Sequence, residues 1–527
     1  MKPSKSLTFS RENLVTFSTF LLLTVSLFLP ELNSAAALNF FRLSFSIILL
    51  MVVVTVLMIM DTKARWIIKS HMFWIAGLYP AYLILQGFFR DNFILFALGN
   101  SDRYLGGLTA VGCLGFFVLG SYLGVLTSSN FYGIFLGLLI LQVMVILILG
   151  LESLEKASQG NFMQSNSTSF MLVILLILAS GMFFETSIPS TTQKFFILSL
   201  IVVSFVLLFL NNSLQGKVGF VSACLVWLLW RLGKRKLSLV RISLVVISLA
   251  SIVFVIFVSL SPVPNAMSAN QNSFYERLEI YKTAIRTLGS NLLFGLGVDR
   301  FNEGYYSFNL TDNSKLVDNA HSIPFQIIST TGLFGFIFWV LPFIFILLKH
   351  KKSDSPQNTP AILSIVGYLI VGLVAIQVPG IEFLIFTILG FLAFQETPNR
   401  RVTSLKPFKA GLLVTSSALT LAVIVHISYK YYVVSNYLSG ETPRSDSSLG
   451  LREDLKDIHD LGLLLLEGRF SIAVQDKALG LLVLQRMTNL APKDQRTIAL
   501  AAQLGNYWDD ERLIELAYQL ELGATKL

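Results

Sequence analysis

One histidine, a few basic residues and three scattered aspartates are the side chains of this 527-residue chain best suited to chemistry. Most of them fall in one polar stretch, 272–333, between two long apolar runs. It carries Glu276, Arg277, Glu279, Lys282, Arg286, Asp299, Arg300, Glu303, Asp312, Lys315, Asp318 and His321. Of five histidines, only His321 stands in this stretch, immediately before an apolar run. His71 and His426 fall within apolar runs, His350 at the end of one, and His459 in the polar tail. An unperturbed imidazole titrates near pH 6.5 and suits a general base; a loop histidine can equally serve only as a local hydrogen-bonding group. Asp299, Asp312 and Asp318 could hold Mg²⁺ through oxygen, but their spacing fits no loop motif and there is no DxD pair. The run GLGVDRF lacks the Lys-Ser/Thr of a phosphate-binding loop.

The elements that must position these residues are membrane helices. The chain is 54% hydrophobic and 13% charged, with mean hydropathy +0.69, against roughly 25% charge in soluble domains. A span needs about 20 mostly apolar residues. Such runs fall near 13–30, 42–60, 66–88, 104–126, 131–150, 168–185, 195–211, 217–232, 239–260, 323–348, 361–378, 380–396 and 410–434. The fold class is therefore all-α, a polytopic transmembrane bundle of 12–13 spans. The pair 361–378 and 380–396 is separated only by Pro379 and Gly380. The first span follows a short basic segment without an AxA-like cleavage site and reads as retained.

Lys and Arg in short connections set the orientation. Lys2, Lys5 and Arg11; Lys63, Arg65 and Lys69; Arg231, Lys234, Arg235 and Lys236; Lys349, Lys351 and Lys352; and Arg400, Arg401, Lys406 and Lys409 all fall on one side, read as cytoplasmic. The net charge of +9 is mostly this bias toward anionic lipid. No basic stripe interleaved with aromatics suggests nucleic acid. The loop 261–322 and the tail then face outward. Lys217, in the outer turn NNSLQGK, opposes the bias; snorkelling to the interface is the plain explanation. Cys113 and Cys224 lie in apolar runs, so no disulfide framework is expected.

Within the loop, residues 273–288 place Phe274, Leu278, Tyr281, Ile285 and Leu288 on one helical face. Gly289 and the GLG at 295–297 end this helix and turn the chain. The domains read as a membrane domain over 1–439, a polar linker GETPRSDSSLG over 440–450, and a helical extracytoplasmic domain over 451–527. In the tail, helices are expected at 473–490, 494–504 and 509–520, broken at APKD and GNYW. The order resembles tetratricopeptide repeats, with room for one or two units; a plain helical bundle is the alternative.

An arginine opening an amphipathic helix, the turn LFGLG, a polar loop, the pair Ala320-His321, and a membrane helix opening on TTGLFG resemble the O-antigen ligase and polymerase superfamily. The resemblance runs from about 211 to 335. It implies a GT-C-like membrane glycosyltransferase that uses a lipid-diphosphate-linked glycan, with no cofactor and no metal. It implies that His321 is the base activating the acceptor hydroxyl. Arg277 matches the arginine at the start of the loop helix, and Lys217 a basic residue at the outer start of an earlier span; both would hold the diphosphate. Arg300 is added only for its place after the GLG turn. Many members follow the histidine with Asn, where this chain has Ser322.

The implied donor is a glycan on undecaprenyl diphosphate, and the acceptor a sugar or protein hydroxyl outside the cytoplasmic membrane. The tail would bind an acceptor or a protein partner. A ligase and a repeat-unit polymerase would share these residues. A transporter, as some relatives have been labelled, predicts internal repeats, broken helices and mid-membrane ionisable residues.

Overall fold

The structure is a computed structural model. It describes residues 11–28, most of 46–57, 67–88, 105–126, 128–152, 165–185, 190–211, 213–232, parts of 242–253, 273–298, 300–301, 304–305, 317, 319–350, 358–395, parts of 464–472, 475–490 and 495–525. The expected span at 410–434 and the linker at 440–450 lie outside the described residues, as do most of those between 302 and 318.

All regular structure among the described residues is helical. Besides partly described helical stretches within 46–57 and 242–253, the helices before the loop are α1 (Arg11–Phe28), α2 (His71–Phe88), α3 (Gly107–Leu126), α4 (Ser128–Glu152), α5 (Ser165–Glu185), α6 (Thr191–Leu210) and α7 (Leu214–Leu232). The loop helix is α8 (Ser273–Asn291). Then come α9 (Ile323–Lys349), α10 (Thr359–Gly372) and α11 (Pro379–Phe394). The tail has α12 (Lys477–Leu490), α13 (Gln495–Trp508) and α14 (Glu511–Thr525). Five described helices are long and apolar enough to cross a membrane by length and composition. The chain is a multi-pass membrane protein, an all-α polytopic bundle.

Its centre is α11, buried from Gly380 to Phe394. It packs on α3 with backbones nearly touching. A Cβ at Gly120 would strike the Thr387 carbonyl, one at Gly124 the Phe391 carbonyl, and one at Gly390 the Phe117 carbonyl. Small residues four apart let helices approach this closely in lipid, where packing rather than water drives association. The Phe116–Phe383 and Phe131–Phe391 ring pairs stack around this seam. Outermost is α6, with Phe195, Phe205 and Leu210 exposed. A helix apolar all round, with its outer face uncovered, suits contact with lipid.

The pair expected at 361–378 and 380–396 is a hairpin of shorter helices. At 1.5 Å per residue, α10 and α11 run about 21 and 24 Å, less than the ~30 Å hydrocarbon layer. Residues 373–378 between them form a turn, not helix, with Ala375, Ile376 and Gln377 buried. At the other end of the hairpin, Lys349 and His350 from α9 bond the last carbonyls of α11, at Ala393 and Leu392. His350 also meets Asn358 at the start of α10. The 373–378 turn therefore sits at the end where α9 begins, near Ile323.

A second apolar cluster lies apart from the membrane core. It unites Leu278, Ile280, Tyr281 and Ala284 of α8 and Phe301, Tyr305, Val317 and Ala320 of the loop with Leu479, Val483, Met487, Leu500 and Leu504 of the tail. Of the tail helices, α12 ends at Leu490 as expected, whereas α13 and α14 run on to Trp508 and Thr525; Lys477 pairs with Asp510 at 2.8 Å across them. That hydrogen-bonded lysine holds the Asp510 carboxyl below the usual carboxylate range.

Candidate active site

The loop helix is buried over a wider arc than periodicity predicts. Leu278 and Tyr281 are covered as expected. Ile280, Thr283, Ala284 and Thr287 are covered too, whereas Ile285 is 37% exposed. Two partners explain the rotation: α8 packs on α9 through the Tyr281–Phe325 ring pair, 5.4 Å apart, and it also belongs to the cluster shared with the tail.

After α8 the chain makes the LFGLG turn, and the turn is bonded into a break in α9. Gly332 has φ 70° and ψ −173°, a region open essentially to glycine alone. In an unbroken helix, Leu333 and Phe334 would donate to the carbonyls of Ser329 and Thr330. Here they donate to Leu292 and Leu293, at 2.8 and 3.4 Å, and the released carbonyls accept from Leu296 and Gly297, at 2.9 and 2.8 Å. Two helical bonds are thus exchanged for four between turn and break, leaving these groups satisfied. The next carbonyl, Thr331, accepts from the Tyr82 hydroxyl at 2.7 Å. One helical turn further along α2, Gln86 donates to the Phe294 carbonyl. Gly295, at φ 67°, faces Gly332, and a Cβ there would lie 2.5 Å from the Gly332 nitrogen.

The span expected over 323–348 is therefore two helices joined at Gly332. The part after Gly332 runs about 25 Å, close to the length of α10 and α11. The part before it carries His321 at its mouth.

His321 has φ 50°. For a non-glycine residue this costs on the order of 1–3 kcal/mol and persists only where neighbours enforce it. Its N–H donates to Asn319 Oδ1 at 2.9 Å, and its carbonyl accepts from the Tyr281 hydroxyl at 3.1 Å. Gln326 reaches back to accept from the Ala320 N–H at 2.9 Å. Ser322 is the buried N-cap residue of α9, without a side-chain cap bond. The amide that fixes the His321 backbone is thus Asn319, two residues before the histidine. The imidazole itself is half-buried.

Arg277 lies one helical turn before Tyr281. Its Nη1 donates to the Val374 carbonyl at 3.3 Å, and the guanidinium stands beside the Tyr281 phenol. Burial pushes that phenol up to about 12, with the arginine pulling the other way. Tyr281 therefore remains a neutral donor at physiological pH. Arg277 and the His321 backbone meet at this one hydroxyl. Tyr281 was legible in the sequence only as a member of an apolar face.

Three elements converge on the end of α10. Gly219 of α7 lies against Val371, Arg277 bonds Val374, and a Cβ at Gly372 would sit 3.3 Å from Ile323 of α9. Lys217 is thus in the first turn of the helix that abuts this point. Its ammonium lies over the Phe209 ring, 5.9 Å from the centroid. A cation there opposes the helix dipole. Arg300 follows the turn, half-buried, with its N–H donated to the Gly297 carbonyl at 3.2 Å. The 373–378 turn went unnoticed in the sequence because its residues are apolar enough to pass for the end of a span.

Of the aspartates weighed for metal, Asp299, Asp312 and Asp318 lie outside the described residues. Among the described residues no group of three or more His, Cys, Asp or Glu could hold a metal ion. No curated protein matches the chain. Residues 199–340 match the family model described as O-Antigen ligase, a segment that contains Lys217, Arg277, the LFGLG turn, His321 and the break at Gly332.

Proposed function

We propose that the chain is a glycosyltransferase of the O-antigen ligase type. It moves a glycan from a polyprenyl diphosphate carrier, undecaprenyl diphosphate in bacteria, to an acceptor hydroxyl outside the cytoplasmic membrane. The observation that carries this reading is the junction at Tyr281, where Arg277 and His321 are drawn together inside the segment resembling O-antigen ligases.

In this reading His321 takes the proton from the acceptor hydroxyl. The oxygen attacks the anomeric carbon as the carbon–oxygen bond to the diphosphate breaks. The leaving lipid diphosphate carries away the electron pair, and one displacement inverts that carbon. Arg277 and Lys217, with Arg300 as a further contact, stabilise the charge that grows on the phosphates. Arginine suits this task through paired, charge-assisted hydrogen bonds. No metal is required. The cluster shared by α8 and the tail supports an acceptor-binding or partner-binding role for the tail. The separation of membrane domain, linker and tail domain, with loop and tail outside, belongs to this same proposal.

Loss of Arg277 tests the reading. Arg277→Ala is expected to lower transfer about 10²–10³-fold, equivalent to about 2.7–4 kcal/mol. Arg277→Lys should recover only part, since lysine cannot bind bidentately. Lys217→Arg should retain activity. Wild-type turnover in both Arg277→Ala and Lys217→Ala would reduce these residues to ordinary surface charges.

Orientation has its own test. Cysteines introduced at Ser307 and Ser447 should react with an impermeant thiol reagent on intact cells, and one at Ser353 should not. Labelling of Ser307→Cys only after lysis would invert the topology.

A further inference from the structure

The membrane core contains a carboxylate that the mechanism above does not use. Glu382, in the first turn of α11, is 1% exposed. Its Oε1 accepts from the Tyr368 hydroxyl at 2.6 Å, and Gln377 lines the same small cavity beside it. Among the described residues no cation pairs with it. Removing a carboxyl group from water is costly, and hydrophobic residues of similar size usually serve a buried position at least as well. Ionisable residues inside a membrane domain accordingly tend to have a task.

Gln377 belongs to the 373–378 turn. That turn is held by backbone bonds at its two ends, where Leu373 and Val374 donate to Ile370 and Val371, and where the Val378 carbonyl accepts from Ile381 and Glu382. Among the described residues, no backbone-to-backbone bond fixes Ala375, Ile376 or Gln377, although all three are buried. The Gln377 side chain, beside Glu382 in the same cavity, is placed to restrain them. The same turn presents the Val374 carbonyl to Arg277, and Gly372, the residue before it at the end of α10, lies against Ile323. One short turn thus meets the buried acid at its end and Arg277 of the candidate active site near its start. It lies beyond the segment that resembles O-antigen ligases.

We propose that Glu382 is a positioning residue: through Gln377 it fixes the 373–378 turn, and the turn holds Arg277 and the start of α9 in place for the lipid diphosphate. The inference rests on the glycosyl-transfer reading. It assigns Glu382 no contact with substrate. Tyr368, stacked between Phe170 and Phe343, orients the carboxyl group from the other side.

The test is a double-mutant cycle on the full chain in lipid nanodiscs, read as affinity for undecaprenyl diphosphate itself. Glu382→Leu should weaken binding about tenfold, the scale of one lost hydrogen bond to a charged group. Glu382→Gln keeps the size and the acceptor oxygen, so it should recover most of the affinity. In an Arg277→Ala background, Glu382→Leu should add little, because groups acting through one another are not additive. Gln377→Met leaves the Glu382–Tyr368 pair intact and should reproduce the loss if Glu382→Leu does not accumulate. In transfer assays the damage should fall on the donor's KM more than on kcat. Full additivity, or wild-type affinity in Glu382→Leu or Gln377→Met, would overturn the positioning role alone. A wild-type protein that binds no undecaprenyl diphosphate would overturn the glycosyl-transfer reading and this inference with it.

Discussion

His321→Ala is expected to lower glycan transfer by about 10²–10⁴-fold, the usual contribution of a positioned general base, while the protein still inserts and still binds the lipid-linked donor. The acceptor hydroxyl is a very weak acid, so its proton must leave as the new bond to carbon forms. The His321 ring is carried on a backbone held at φ 50° by Asn319, Tyr281 and the Gln326 side chain. The bonds from His321 to Asn319 and Tyr281 use its main-chain atoms and survive truncation of the ring, so the loss is expected to be chemical. His321→Gln should fail as well, because an amide retains hydrogen bonding and cannot accept the proton. Where chemistry limits the rate, transfer should rise with pH as the imidazole loses its proton. Replacement of His71, His350 or His426 should leave the chemistry intact. For His350 the expected cost is in stability, since its ring bonds the Leu392 carbonyl and Asn358 in the core.

Gly332→Ala should be the most damaging change outside the chemistry. At φ 70° and ψ −173° an L side chain is strained by on the order of 1–3 kcal/mol. Its Cβ would also meet the Leu293 carbonyl and, at 2.5 Å, the Phe294 nitrogen. Backbone atoms cannot swing aside as a flexible side chain can, so the turn must separate from the break. That puts at risk the four cross-bonds, each worth about 0.5–1.5 kcal/mol net. Gly295→Ala attacks the same junction from the other side. Both variants are expected to lower the thermal midpoint by several degrees and to lose transfer, since the junction sets where α8 ends and where α9 begins. Wild-type stability in both would mean that the turn and the break are not coupled.

Much of this arrangement was legible in the chain. Hydropathy placed the membrane helices, periodicity placed a helix at the start of the loop, and the GLG marked its end. Hydropathy has no access to backbone dihedrals, so Gly332 passed as one more residue of an unbroken span. The 373–378 turn was hidden for a related reason: residues such as Val374, Ala375 and Ile376 are as apolar as any membrane helix. The rotation of α8 was not accessible either. Which face is covered depends on α9 and on the tail, and periodicity within one segment reports neither. Glu382 drew no attention because a lone acid near a span boundary usually marks an interface.

Two features expected of a transporter do occur, a broken membrane helix and a buried acid. The break in α9, however, is filled by backbone from the loop. Glu382 is bonded to the turn that supports Arg277. Both features bear on the loop 261–322.

The most direct measurement is transfer from a purified undecaprenyl-diphosphate-linked glycan to an acceptor hydroxyl, with wild type and His321→Ala reconstituted side by side. Free undecaprenyl diphosphate and the configuration of the new bond would be read together. The account predicts that wild type transfers the glycan with inversion and releases the lipid diphosphate, whereas His321→Ala binds the donor and leaves it intact. Equal transfer by the two proteins, or none by wild type, would contradict it.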